Sequence, residues 1–218
     1  MALQAVIWDF GGVFTTSPFE AFNAYEAEHG LPKDFIRTVN ATNPDDNAWA
    51  LIERSAITAE AFDAQFRAES RALGHEVPGA DVLALLSGRL RPRVVAALEV
   101  CKGHGVKVGC ITNNAPVGQG AGMTSDAGRA ADIARVFDQF DHVIESSKIG
   151  IRKPDPRIYA LMCEALDVEA SGCVYLDDLG INLKPARAMG MTTIKVLSED
   201  QLLADLANAT GFRFDGPA

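Results

Sequence analysis

Three short apolar runs in this sequence of 218 residues end abruptly on polar side chains. Ala5-Val6-Ile7-Trp8 ends on Asp9, followed by Phe10, Gly11 and Gly12. The run before Thr112-Asn113-Asn114 and the run before Asp177-Asp178 end in the same way, and a lysine, Lys153, stands in Arg152-Lys153-Pro154-Asp155-Pro156 just ahead of an amphipathic stretch. Two or three carboxylates with a lysine and a hydroxyl, and no histidine or cysteine among them, suit Mg2+ and phosphate better than zinc or thiol chemistry. In such a set an aspartate can attack phosphorus, the lysine can neutralise nucleophile and phosphoryl group, and Thr112 with backbone N–H groups can bind phosphoryl oxygens. Taken singly, each of these residues reads equally as a turn cap or a surface charge. Only their convergence separates the two readings.

Convergence depends on the elements that carry them. A short apolar run followed at once by glycine reads as a buried strand with Asp9 at its C-terminal tip. Further strands are expected over 106–112, 141–145, 173–176 and 192–196. Between them the spacing predicts helices: one from Pro92 with Val95, Leu98 and Cys101 on one face, others over 130–137 and around Ile158, Leu161, Met162 and Ala165, one over 182–189 with Pro185 in its first turn, and a last one over 202–207. Residues 16–88 show no strand pattern. Helices are expected there after Pro18, after the cap candidate Thr58 with Phe62 and Phe66 one turn apart, and after Pro78-Gly79. The fold class is therefore α/β, a Rossmann-like parallel sheet with helices on both faces, and residues 16–88 form an all-helical insert after the first strand. The expected division is a core of residues 1–15 and 89–218 and a helical cap of residues 16–88. Parallel strands end on the same side, so the polar groups at their tips can meet. The glycine-rich stretch 115–128 reads as a loop, either a lid or a plain connection.

With 48% hydrophobic and 22% charged residues the composition is that of an ordinary globular protein. A net charge of -9 argues against a general nucleic-acid or anionic-membrane binder. No apolar stretch is long enough to cross a bilayer and no secretory signal pattern opens the chain, so a cytoplasmic location is expected. The sequence favours neither monomer nor homodimer. Cys101, Cys110, Cys163 and Cys173 lack CxxC spacing and read as buried free thiols.

The segments Trp8 to Val13, Ile111-Thr112-Asn113-Asn114, Ser147 to Tyr159 and Leu176 to Arg187, in this order, resemble the haloacid dehalogenase-like superfamily. The likeness is to the branch that contains the N-terminal phosphatase domains of soluble epoxide hydrolases and related acyl-CoA dehydrogenase fusions. The resemblance implies a Mg2+-dependent phosphatase for a small phosphorylated molecule, working through an aspartyl-phosphate. It makes Asp9 the nucleophile and a metal ligand, the carbonyl of Gly11 a second ligand and Asp178 a third. It makes Thr112 and Asn113 phosphate-binding residues and Lys153 the essential lysine, and it puts Asp177 and Asn182 around the metal's ligands, with Asn182 supporting its waters. Substrate choice would fall to the insert, where Asn43, Asn47, Trp49 and Arg54 stand out, Trp49 and Arg54 reading equally as packing and surface residues. His29, His75, His104 and His142 share no motif.

One position departs from the pattern. Phosphatases of this family carry a second aspartate two residues after the nucleophile, as general acid and base, and here that residue is Gly11. Such a group contributes roughly a hundredfold to ten-thousandfold. Three readings follow: a phosphatase for substrates whose leaving group needs little protonation, or one that borrows a proton carrier such as Asp177, water or the substrate itself; a degenerate module that binds phosphorylated ligands or a protein; or a 2-haloacid dehalogenase, which also lacks the second acid. The paired acids Asp177-Asp178 weigh against the last, because they would repel a carboxylate substrate.

Overall fold

The computed structural model describes residues 2–116, 118, 123–124 and 126–214. Five strands form one parallel sheet: β1 (Ala5–Trp8), β2 (Lys107–Thr112), β3 (His142–Glu145), β4 (Cys173–Asp177) and β5 (Thr192–Lys195), in the order β3-β2-β1-β4-β5. β1 is central and pairs with β2 on one side and β4 on the other, Trp8 lying beside both Cys110 and Leu176. The strand order reverses at β1, and in open α/β sheets ligands bind in the crevice beyond the strand ends at such a point.

Alternation along β1 sends neighbouring side chains to opposite faces. Val6 and Trp8 join Val108, Cys110, Val174 and Leu176 beneath the helices α6 (Pro92–Gly103), α7 (Ala127–Phe137) and α11 (Glu199–Thr210). Ala5 and Ile7 face the other way, with Ile111 and Tyr175, against α9 (Pro156–Leu166) and α10 (Gly180–Ala188). The second face packs closely: a Cβ at Gly109 would stand 2.6 Å from the Met162 sulfur. The same alternation carries past the strand tips. Asp177 lies on the α9 side with Tyr175, and the residue ahead of α9 approaches the sheet from that side.

Between β1 and β2 run α1 (Pro18–Glu28), α2 (Phe35–Ala41), α3 (Ala48–Glu53), α4 (Ala59–Ala72) and α5 (Gly79–Ala84), with no strand among the described residues of 16–88. Ser17 caps α1 and Thr58 caps α4 through their hydroxyls, and Pro18 stands in the first turn of α1. These helices close on an apolar cluster of their own, with Phe22, Phe35, Ile36, Val39, Ile52, Phe62, Phe66 and Val82 at its centre. The chain leaves the sheet and returns to it through one neck. The Thr16 N–H donates to the Arg89 carbonyl and the Arg91 N–H to the Phe14 carbonyl, and Thr15 bridges Leu90 in antiparallel sense. The strands approach so closely there that a Cβ at Gly88 would meet the Thr16 carbonyl oxygen at 2.5 Å.

Two expectations change in detail. α10 begins at Gly180, so Pro185 lies inside the helix and not in its first turn. On α6 the fully buried face is Val94, Ala97, Leu98 and Cys101, while Val95 is only partly covered. The expectation of a lid or plain connection over 115–128 rests mainly on residues 117, 119–122 and 125, which lie outside the described residues. Ala115 at its start and Met123 within it pack against the apolar cluster of α1–α5. All four cysteines are free and buried. No helix among the described residues is long and apolar enough to cross a membrane.

Candidate active site

β1 and β4 deliver their acids side by side. The Asp9 N–H continues the ladder onto the Leu176 carbonyl at 2.8 Å, so Asp9, Asp177 and Asp178 meet at the crevice. Each presents an oxygen within 4.8 Å of the others. Into this group Lys153 extends its side chain from the loop ahead of α9. Its ammonium lies 2.8 Å from Asp9 Oδ1 and 2.9 Å from Asp177 Oδ2, and the side chain is 1% exposed.

Asp177 is fully engaged. Its Oδ1 accepts from the Leu179 N–H and the Asn182 amide, and its Oδ2 from Lys153, the Tyr175 hydroxyl at 2.6 Å and the same Asn182 amide. Asn182 is thus held against Asp177, and its carbonyl accepts from the Tyr159 hydroxyl. Asp9 and the Gly11 carbonyl are less engaged. Asp9 Oδ1 takes Lys153 and the Phe10 N–H, whereas Asp9 Oδ2 and the Gly11 carbonyl receive no hydrogen bond among the described residues. Open lone pairs on hard oxygens in a buried acidic crevice suit a divalent cation.

The charges point the same way. Burial drives the Asp9 carboxyl well above its ordinary range, and the charges of Asp177 and Asp178 add to this against the opposing pull of Lys153. Asp178 is pushed up to about 6, first by burial and then by Asp177, with Lys153 and Arg91 opposing. Burial works against the Lys153 charge, but Asp177 and Asp9 outweigh it and hold the ammonium protonated. One buried ammonium among three carboxylates leaves negative charge uncompensated, which a bound cation would relieve.

The two glycines after Asp9 differ. Gly12 has a φ of +74°, and a Cβ there would stand 2.2 Å from Asp178 Oδ2, so the bare backbone is what allows Asp178 its place. A Cβ at Gly11 would meet nothing within 4 Å, and its φ is outside the left-handed region. No steric demand explains glycine at 11.

Thr112 ends β2 and is buried, and its hydroxyl has no partner among the described residues. Asn113 faces the Lys153 loop. Its Oδ1 accepts from the Lys153 N–H at 2.8 Å and its Nδ2 donates to the Lys153 carbonyl at 3.1 Å, across a segment with a cis Lys153–Pro154 bond. The amide thus grips the lysine's backbone.

The insert residues singled out from sequence have structural contacts instead. Asn47 caps α3 and donates to the carbonyls of Asn40 and Thr42. Trp49 packs edge-on against Phe62, and Arg54 donates to the Asp45 carbonyl. Asn43 is an exposed turn residue at φ +50°. His29 stacks on Tyr25, His75 on the edge of Phe35 and His104 on Phe212, while His142 is exposed. Among the insert residues that reach the site's surroundings is Glu53, at the end of α3, ion-paired to Arg152 Nε at 2.7 Å. A carboxylate as the last residue of a short helix sits at the wrong end of the helix dipole, and that was the available sign of a partner outside the helix.

The family model described as haloacid dehalogenase-like hydrolase matches residues 3–190, and the chain belongs to that family. Among its relatives, Bifunctional epoxide hydrolase 2 of Mus musculus is 30% identical over 230 residues, a stretch that covers 98% of this chain and 40% of that protein. The chain thus spans less than half the length of that relative. Phosphatase MT3486 of Mycobacterium tuberculosis is 30% identical over 224 residues, covering 95% of each chain. In fold the chain is similar to a HAD family enzyme of Bacteroides thetaiotaomicron solved in complex with magnesium and inorganic phosphate. There the TM-score is 0.56 and the identity 16%, over 91% of this chain and 96% of that one.

Proposed function

We propose that this hydrolase is a Mg2+-dependent phosphatase for a small phosphorylated metabolite, working through an aspartyl-phosphate on Asp9. The observation that carries the reading is the Lys153 ammonium held between Asp9 and Asp177 with Asp178 alongside. The similarity to a phosphatase over 95% of both chains supports it. Asp9, the Gly11 carbonyl and Asp178 would hold Mg2+, whose charge screens the Asp9 carboxylate from an approaching phosphate.

Asp9 Oδ2 is the open oxygen of the nucleophile. Its attack forms an O–P bond as the bond from phosphorus to the leaving oxygen breaks, and water then attacks phosphorus, releasing phosphate and restoring the carboxylate. Lys153 orients Asp9 and stabilises the charge building on phosphorus, and the Thr112 hydroxyl binds a phosphoryl oxygen. Asn113 acts through the lysine, fixing its backbone. Asp177 and Asn182 act through Lys153 and Asp178, setting the charge and position of the crevice. The helical segment 16–88 serves as a cap over the strand tips that selects the substrate and excludes water.

Gly11 offers no side-chain proton to the leaving group. The preferred substrates are therefore phosphates whose leaving oxygen is a weak base, such as sugar 1-phosphates and acyl phosphates. The same glycine favours a second reading, in which the site binds a phosphorylated ligand without turning it over.

The test is hydrolysis of p-nitrophenyl phosphate with Mg2+ and with EDTA, by wild type, Asp9→Asn and Gly11→Asp. The phosphatase reading expects release that needs metal and vanishes in Asp9→Asn. It also expects alkyl phosphates to be turned over far more slowly than phenyl or anomeric ones, and Gly11→Asp to narrow that gap. Equal wild-type rates on both classes would overturn the account of Gly11. Activity in Gly11→Asp alone would establish the binding reading.

A further inference from the structure

Glu53 has no part in the chemistry above, yet it is among the most buried charges in the chain. Its side chain is 8% exposed and faces Arg152 Nε at 2.7 Å. Arg152 directly precedes Lys153 and reaches back to the insert through Nη1, which donates to the Pro44 carbonyl at 2.9 Å. Glu53 Oε2 also lies 3.5 Å from Asn113 Nδ2, at the outer limit of a hydrogen bond. That amide grips the Lys153 peptide from both sides.

The surrounding contacts seat the same helix end. The Ser146 hydroxyl, on the short helix α8 (Ser146–Ile149), donates to the Glu53 carbonyl at 2.7 Å, and the Ser55 hydroxyl donates to the Ser147 carbonyl at 2.6 Å. The result is a continuous polar chain from the end of α3 through Arg152 and Asn113 to the backbone of the lysine that holds Asp9. The Arg152–Glu53 link is an ion pair at 2.7 Å in which Arg152 Nε makes no hydrogen bond, and a buried polar network of this kind loses its hold on what it touches when one member is removed.

We propose that Glu53 is a positioning residue for Lys153: by drawing Arg152 and Asn113 together it fixes the lysine's peptide, so that seating the end of α3 against α8 completes the lysine's placement. The insert would then contribute to catalysis from a distance, through the lysine's backbone, beyond any contact with substrate. The activity arm of the test rests on the phosphatase reading, and the exchange arm does not.

Glu53→Gln keeps the shape and removes the charge that holds Arg152. Ser55→Ala is the control, because it removes a contact between the insert and α8 without touching Arg152 or Asn113. In the ligand-free protein, hydrogen exchange of the Lys153 amide should quicken about tenfold or more in Glu53→Gln and stay at the wild-type rate in Ser55→Ala. With p-nitrophenyl phosphate and Mg2+, Glu53→Gln should lower kcat about tenfold or more while KM moves less than about twofold, since a misplaced catalytic group weakens the transition state more than substrate binding. Arg152→Gln, which breaks the same pair from the other side, should reproduce both effects and serves if Glu53→Gln does not fold.

An unchanged Lys153 amide in a folded Glu53→Gln or Arg152→Gln protein overturns the proposal. So does an equal effect from Ser55→Ala. Altered exchange with no phosphatase activity in wild type would support the positioning role and refute the phosphatase reading on which the activity arm depends.

Discussion

Gly12→Ala concentrates the argument for the site into one methyl group. The added Cβ would stand 2.2 Å from Asp178 Oδ2 and 2.6 Å from its carboxyl carbon, and ordinary contacts of this kind exceed 3 Å, so Asp178 must retreat by roughly 1 Å. The backbone at φ +74° also becomes strained once a side chain is present, at a cost of about 1–2 kcal/mol. The smaller entropy of an unfolded alanine, about 0.4–1 kcal/mol, offsets only part of this. For a chain of this length each kcal/mol lowers the melting temperature by about 2–4 °C, so a fall of a few degrees is expected in thermal unfolding. The effect on function should be larger. A 1 Å displacement of a group at the reacting centre costs about a hundredfold in rate, read as kcat/KM for p-nitrophenyl phosphate at saturating Mg2+. Gly11→Ala is the contrast, because its Cβ meets nothing within 4 Å, and stability should stay within about 0.5 kcal/mol of wild type. A Gly12→Ala protein with wild-type melting and wild-type metal-dependent turnover would refute the account of how Asp178 is held.

Lys153→Met removes the one ammonium between Asp9 and Asp177 and leaves both acids buried without a counter-charge, so urea unfolding should show a loss of about 3–5 kcal/mol, and an unmoved midpoint would argue against the buried bridge. Tyr175→Phe takes a 2.6 Å hydroxyl donor from the fully buried Asp177 and should cost about 1.5–3 kcal/mol by the same measurement, while a neutral result would mean that Lys153 and Asn182 suffice to satisfy that carboxylate. Burial pushes the Cys101 thiol up to about 12 and the Cys110 thiol well above its ordinary value, so at pH 7.5 the thiolate fraction of each is negligible. Neither should react with a maleimide in the native protein on the timescale of a free thiol, and all four cysteines should react once the chain is denatured.

Much of this arrangement was legible because it is local. β1 is a four-residue apolar run ending at an acid, and Thr58, Ser17 and Pro18 sit where helix starts need them. The meeting of Asp9 with Asp177 and Asp178 follows from topology, since parallel strands must finish on one side. What escaped was long-range pairing. Glu53 and Arg152 are 99 positions apart, and nothing near either residue names the other. The hold of the Asn182 amide on Asp177 was likewise not foreseen: from the first turn of α10 the side chain faces back toward the end of β4. Asn47 and Trp49 carried the right chemistry for a site and are engaged in capping and packing instead. Polarity on a short helix does not reveal which way the helix end faces. Pro185 was misplaced for a simpler reason: α10 starts at Gly180, which carries no capping signature in the sequence.

The neck at Thr15–Thr16 and Arg89–Arg91 has a consequence for how this chain can change over time. Its two strands are hydrogen-bonded where the insert departs and returns, so from the sheet's side all of residues 17–87 amount to one long hairpin loop. Closure entropy grows only slowly with loop length, so the sheet is nearly indifferent to how many residues that loop contains. Gly88 guards the join, since any side chain there would force the two strands apart. A foreign segment whose ends arrive at this spacing can be spliced in without disturbing the register of β1 against β2 and β4. The sheet with the acids at its strand tips and the helical insert can therefore be inherited separately, as a fixed frame with an exchangeable cassette.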